Sequence, residues 1–137
     1  MKALPFTKHV LVVDDNSTLR RAICKVLQAH GFDCHQATDG VTALQELRKT
    51  DFDLVLTDYQ MPEMNGLEFL KNLATLVDLP HPPVRIMMTG TRDETIYQQA
   101  LNAGALLVLL KTGDFHCLVD QVMEVLESDI DTPGCSP

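Results

Sequence analysis

Basic residues are scarce in this chain. Eleven Lys and Arg stand against nineteen Asp and Glu, for a formal net charge of −8 and an isoelectric point near 4.9. A nucleic-acid surface needs clustered positive charge to displace counterions from phosphates, so direct nucleic-acid binding is not expected. Long apolar runs are missing too: the longest, Ala105–Leu110, has six residues, whereas a membrane-spanning helix needs about 20. Membrane insertion is therefore not expected. The opening residues, Met1 to His9, hold no apolar stretch of the kind a signal peptide requires. The four cysteines, at 24, 34, 117 and 135, form no C-x-x-C pair and no regular spacing. That predicts neither a disulfide framework nor a structural zinc site. Cys24 and Cys117 read as core or near-core thiols, and Cys135 as a reactive thiol in the tail. Free thiols without an export signal predict a reducing, cytoplasmic location. What is present is enough for one domain: 137 residues, 45% hydrophobic and 22% charged.

Short apolar runs alternate with amphipathic stretches. His9–Val13 is continuously apolar and ends in Asp14-Asp15, as a strand buried on both faces does. Asn16-Ser17 offers caps for a helix whose Leu19, Ile23, Val26 and Leu27 share a face until Gly31 stops it. Asp33–Ala37 predicts a second, more polar strand, and Asp39-Gly40 turns the chain into a helix facing inward with Val41, Leu44 and Leu47. Phe52–Thr57 predicts a third strand, ending in Asp58. A helix follows with Leu67, Leu70, Leu73 and Val77 on one face, opened by Asn65 and its capping partner Glu68. Beyond Pro80-His81-Pro82-Pro83 come a fourth strand, Val84–Thr89, and a helix capped by Thr91 or Asp93 that carries Ile96, Ala100 and Leu101. Ala105–Leu110 predicts a fifth strand ending in Lys111. The last helix begins near Gly113-Asp114 and aligns Phe115, Leu118, Val122, Val125 and Leu126. The expected organisation is an N-terminal extension over 1–8, a folded domain over 9–127 and a flexible tail over 128–137. Strands separated by helices predict an α/β fold: a doubly wound, five-stranded parallel sheet with five helices, in the flavodoxin-like order 2-1-3-4-5.

In that order ligands sit outside the carboxyl ends of the strands, near the switch point. The residues found there are Asp14 and Asp15, Asp58, Thr89 and Lys111. One Asp at a strand end is commonly a helix cap, and one Lys after a strand a solvated charge. Neither explains all five polar groups at the same edge of four strands. Three crowded carboxylates repel one another unless Lys111 or a divalent cation neutralises them. The set can bind or receive a phosphoryl group. The five histidines, His9, His30, His35, His81 and His116, are scattered along the chain, which predicts neither a metal cluster nor a phosphohistidine site.

Val13-Asp14-Asp15-Asn16, then Asp58 with the loop Tyr59-Gln60-Met61-Pro62-Glu63-Met64-Asn65-Gly66, then Thr89 and Lys111, closely resemble the receiver domain of two-component response regulators. The resemblance runs from about His9 to Leu126. It implies that Asp58 accepts a phosphoryl group from a histidine kinase or phosphotransfer protein. It implies a Mg²⁺ ion, with Mn²⁺ as a substitute, on Asp14, Asp15, Asp58 and the backbone carbonyl of Gln60. Thr89, Gly90 and Lys111 would contact the phosphate, Gly90 through a backbone free to approach it. The output would be a downstream protein target or an output domain, with at most a weak dimer. Asn16-Ser17-Thr18-Leu19-Arg20-Arg21 is similar to the first-helix start of single-domain chemotaxis regulators. Such a protein is not an enzyme in the usual sense, since it catalyses only its own aspartyl phosphorylation and dephosphorylation. Two positions depart from the family: Val108 replaces its usual aromatic residue, and Thr112 replaces the proline after its lysine. A cis bond before Thr112 would cost about 2.5–4 kcal/mol, so a trans bond is expected there. These departures leave open a pseudo-receiver, an interaction module acting without phosphate. A metal-dependent phosphohydrolase ranks last, because Asp14-Asp15-Asn16 is not the D-x-D that such enzymes carry.

Overall fold

The computed structural model describes residues 8–76, 78–111 and 115–127. Five parallel strands, β1 (His9–Val13), β2 (Asp33–Ala37), β3 (Leu54–Asp58), β4 (Val84–Thr89) and β5 (Leu107–Leu110), pair in the order β2-β1-β3-β4-β5. The helices are α1 (Ser17–Ala29), α2 (Gly40–Lys49), α3 (Gly66–Ala74), α4 (Glu94–Asn102) and α5 (Phe115–Glu127). Alternation along β1 explains the layers. Val10 and Val12 face Ile23, Cys24 and Leu27 of α1 and Leu118, Val119 and Val122 of α5. Leu11 and Val13 face Ala43 and Leu47 of α2, Phe69, Leu70 and Leu73 of α3, and Ala100 of α4. With both faces covered, all four of these β1 residues are fully buried, and the strand is apolar without interruption.

The sheet order, all ten elements and the bounds of β1, β2 and β4 agree with the sequence expectation. Other details differ. β3 starts at Leu54 because Phe52 leaves the ladder to pack on the α2 side, where it is only 3% exposed. β5 starts at Leu107, and Leu106 turns outward. On α2 the inward residues are Gly40, Ala43 and Leu47, while Val41 is exposed. Asp39 caps that helix by accepting from the Thr42 N–H. On α4 only Ala100 is buried and Leu101 is exposed. Asp93, and not Thr91, is its cap. The four-thiol expectation is corrected as well: Cys24 and Cys34 are joined by a disulfide, with Cα atoms 5.5 Å apart. α1 lays Cys24 directly over the inward face of β2, a proximity that no spacing in the sequence encodes. Cys117 is exposed, not near-core. Val77, the Lys111–Thr112 bond, Gly113-Asp114, Cys135 and the terminal segments lie outside the described residues.

The loop from β3 to α3 is held tightly. Asn65 and Glu68 form the expected reciprocal capping box, with bonds of 2.9 and 3.0 Å. The Met64 N–H donates to the Pro62 carbonyl at 2.7 Å around Glu63, whose φ is 70°, a strained γ-turn. The Gly66 N–H donates to the Tyr59 carbonyl at 2.7 Å. A Cβ on Gly66 would collide with the Asp58 carbonyl and come within 2.9 Å of the Tyr59 Cα. Both obstacles are backbone, so the loop can close this tightly only around glycine. Gly66→Ala is expected to cost about 1–3 kcal/mol in urea denaturation, the usual penalty for overpacking. Gly90→Ala, whose Cβ would meet nothing within 4 Å, should change stability by no more than about 0.5 kcal/mol.

Candidate functional site at the carboxyl edge of the sheet

The ends of β1, β3 and β5 converge on one charge cluster. Lys111, directly after β5, places its Nζ 3.3 Å from Asp58 Oδ1 and 3.6 Å from Asp14 Oδ2. Its backbone N–H donates to the Thr89 carbonyl at 2.7 Å, extending the β4–β5 ladder by one step and fixing the root of the side chain. Asp14 is completely buried, Asp58 nearly so, and Asp15 is exposed. Carboxylate oxygens of all three lie within 4.8 Å of one another.

The cluster opens into a cleft of about 780 Å³ lined by Asp15, Asn16, Asp58, Gln60, Gly90 and Lys111 together with Tyr59, Met61, Pro62 and Asn65. Five of the seven expected site residues therefore share one cavity. Asp14 supports it from below. Thr89 is buried behind it, its hydroxyl oxygen accepting from the Thr91 N–H at 3.2 Å. Gly90 borders open space and its φ is outside the left-handed region. The absent side chain leaves room in the cleft; backbone freedom is not what the position requires.

Burial and the neighbouring Asp14 charge push the Asp58 carboxyl up from 3.8 to about 6, with Lys111 offsetting part of the rise. Asp14 Oδ2 is buried and accepts no hydrogen bond among the described residues. An all-oxygen donor set with an orphaned buried oxygen suits a hard divalent cation, so the three aspartates are a candidate cation site.

Arg20 escaped the sequence reading as a site residue. It is 7% exposed, with Nη1 donating to the Asp14 carbonyl at 2.8 Å and Nε to Gln36 Oε1 at 2.9 Å. The signal was present: Arg20 falls in helical phase with Ile23, Cys24 and Leu27, the buried face of α1. A guanidinium on that face must find acceptors, and the carbonyl of the acidic turn is one. The Asn16 N–H donates to Asp14 Oδ1 at 2.9 Å while its side chain caps α1 through the Leu19 N–H at 3.1 Å. Asp14 is thereby held from both sides.

Residues 10–123 match the response regulator receiver domain family. The chain is 42% identical over 119 residues to the chemotaxis protein CheY-3 of Vibrio cholerae serotype O1, covering 86% of this chain and 91% of that one. It is 36% identical over 121 residues to the chemotaxis protein CheY of Pseudomonas aeruginosa, covering 86% and 95%. Among solved structures, chemotaxis protein CheY4 of Vibrio cholerae superposes with a TM-score of 0.79 at 28% identity, over 88% of this chain and 99% of that one. With sheet order, acidic cluster and lysine all in agreement, the chain belongs to the response regulator receiver domain family.

Proposed function

We propose that this chain is a phosphorylation-operated signalling switch whose phosphoacceptor is Asp58. The observation that carries the reading is the Lys111 ammonium between Asp58 and Asp14, at 3.3 and 3.6 Å, on the floor of an open cleft. A carboxylate at a strand end, buried yet reachable from the cleft, is placed to attack a phosphorus entering from solvent. In the transfer an Asp58 oxygen forms the new O–P bond. The P–N bond to a phosphohistidine of a histidine kinase or phosphotransfer protein breaks, and its electron pair returns to the imidazole, which takes up a proton. Lys111 then neutralises a phosphoryl oxygen in place of the charge it now balances on Asp58.

Asp14, Asp15, Asp58 and the Gln60 carbonyl would hold Mg²⁺, or Mn²⁺. The bound ion would screen the repulsion between carboxylate and anionic donor. Thr89 accepts through its oxygen, so its hydroxyl proton is available to donate to the phosphate. Reaching the cleft requires the segment after β4 to shift. That shift is the switching element: α4 buries only Ala100, and half-buried Ile96 and Val108 pack on the same core. With valine in place of a ring at 108, aliphatic repacking transmits the change. Gly90 lines the cleft where its N–H meets the phosphate.

The folded receiver is assigned to residues 9–127. Its partners are a histidine kinase or phosphotransfer protein and a downstream protein target, with at most a weak dimer and no direct nucleic-acid contact. The named relatives favour a chemotaxis-type regulator; a cytoplasmic location is proposed with it, although the Cys24–Cys34 disulfide removes the free-thiol ground for that expectation. Among the described residues no helix is long and apolar enough to cross a membrane. The chain catalyses only its own modification and the hydrolysis that reverses it.

Incubation with Mg²⁺ and acetyl phosphate should add one phosphoryl group by intact-mass spectrometry, and none with chelator or in Asp58→Asn. Lys111→Ala should slow the addition by about 10²–10³-fold. No adduct, together with no chemical-shift change on beryllofluoride addition, would establish the pseudo-receiver reading instead.

The raised Asp58 carboxyl also predicts a pH dependence. Below about 3.8 the group is protonated in both folded and unfolded states. Between 3.8 and about 6 the folded protein keeps a proton that the unfolded chain has lost, so stability from this group falls as pH rises. Above that range the penalty is complete. In chelator at pH 7–8, Asp58→Asn should exceed wild type by about 1–3 kcal/mol in urea denaturation. The difference should close as pH approaches 4, and saturating Mg²⁺ should stabilise wild type more than the variant.

A further inference from the structure

The amino edge of the sheet carries a second cluster of ligating groups, formed by residues the sequence reading left scattered. His9 opens β1 and is the register partner of Asp33 on β2; the next partner pair on that face is Leu11 with His35. Parallel pairing and the two-residue period put His9, Asp33 and His35 on one face, the side of α2. His9 Nδ1 lies 3.1 Å from Asp33 Oδ2, and His35 Nε2 lies 3.5 Å from Asp33 Oδ1. The three ligating atoms fall within 4.8 Å of one another. Two donors at about 2.0–2.1 Å from a tetrahedral ion are about 3.3 Å apart; each histidine lies near that distance from one of the two Asp33 oxygens.

A second observation separates the cluster from an ordinary surface ion pair. His9 Nδ1 is buried and forms no hydrogen bond among the described residues, although the Asp33 carboxylate is within ion-pair distance. The nitrogen is close to the carboxylate but not aligned with it, as two ligands of a common centre are. Phe52 packs edge-on against the His35 ring at 5.2 Å and 84°, and the His9 backbone N–H donates to Asp53 Oδ2 at 2.7 Å, which fixes the start of β1.

We propose that His9, Asp33 and His35 form a second cation site, for a late first-row divalent metal such as Zn²⁺, distinct from the all-oxygen cluster at the opposite edge. Two imidazoles and one carboxylate match the nitrogen and oxygen preference of Zn²⁺, whereas Mg²⁺ takes oxygen alone. All three side chains are partly exposed, so the ion has a path in and a position left for water. The two sites stand about 16 Å apart along β1. A bound ion ties β1 to the edge strand β2 and stabilises the folded state by mass action.

The test uses the full chain with Cys117→Ser and Cys135→Ser, which removes the two thiols outside the disulfide, in Mg²⁺ that saturates the acidic site. Calorimetric titration with Zn²⁺ should show one ion per chain. His9→Gln and His35→Gln should each weaken it by at least about 10–100-fold, a loss that even a ligand's hydrogen-bond partner commands. Asp15→Asn should leave it unchanged. Zn²⁺ should raise the melting temperature of the parent protein and not of His35→Gln. In the parent, Zn²⁺ should shift the imidazole nitrogens of His9 and His35 and leave those of His30, His81 and His116, a readout that needs no variant to fold. No binding by the parent, binding that survives both histidine variants, or binding lost in Asp15→Asn would overturn the assignment.

Discussion

One ammonium offsets two buried carboxylates at the carboxyl edge of this sheet, and the local architecture is arranged around that balance. Without Lys111, the neighbouring Asp14 and Asp58 carboxylates would face each other unneutralised. Even with it, Asp58 stays protonated to about pH 6. Charge held under such repulsion is a readiness to accept a cation or to form a bond that removes it. The fold tolerates the cost because the strands beneath are apolar and fully packed. Four consecutive residues of β1 lie under Asp14 without solvent contact.

Second-layer groups make the arrangement rigid where chemistry needs it and loose where switching does. Arg20 and Asn16 hold Asp14 in place, and Gly66 draws α3 against the Asp58 carbonyl, closing a strained turn at Glu63. Thr89 is turned away into its own loop, next to α4, which contributes the least buried face of the five helices. The contrast between a clamped acceptor and a lightly seated neighbour is what a modification-driven change of shape requires.

The two edges of the sheet differ in donor chemistry. Parallel strands place every carboxyl end on one side, where the cleft is lined by oxygen donors, and every amino end on the other, where two imidazoles meet a carboxylate. The oxygen-only set suits a hard cation and the mixed nitrogen and oxygen set a borderline one. The edge strand β2 contributes to both faces of the sheet: Cys34 points to its disulfide with Cys24 on the α1 side, while Asp33 and His35 point to the α2 side.

Periodicity and punctuation were sufficient for the element order, the sheet topology and the carboxyl-edge residues, because each of those is written in adjacent positions: a strand, then the acid that ends it, then the cap of the next helix. Asn65 with Glu68 is legible for the same reason. Helix phase was less so. Val41 and Leu101 look inward by spacing, yet both are exposed, and the buried positions are Gly40, Ala43 and Leu47 on α2 and Ala100 on α4. What only tertiary structure decided are the pairings between residues distant along the chain. Cys24 meets Cys34 because α1 packs over β2. His9 meets His35 because β1 and β2 are in register. Lys111 meets Asp14 because β1, β3 and β5 end at the same edge. Local sequence sets backbone preference and which side faces the core. Contacts across strands depend on register and packing, which no single segment contains.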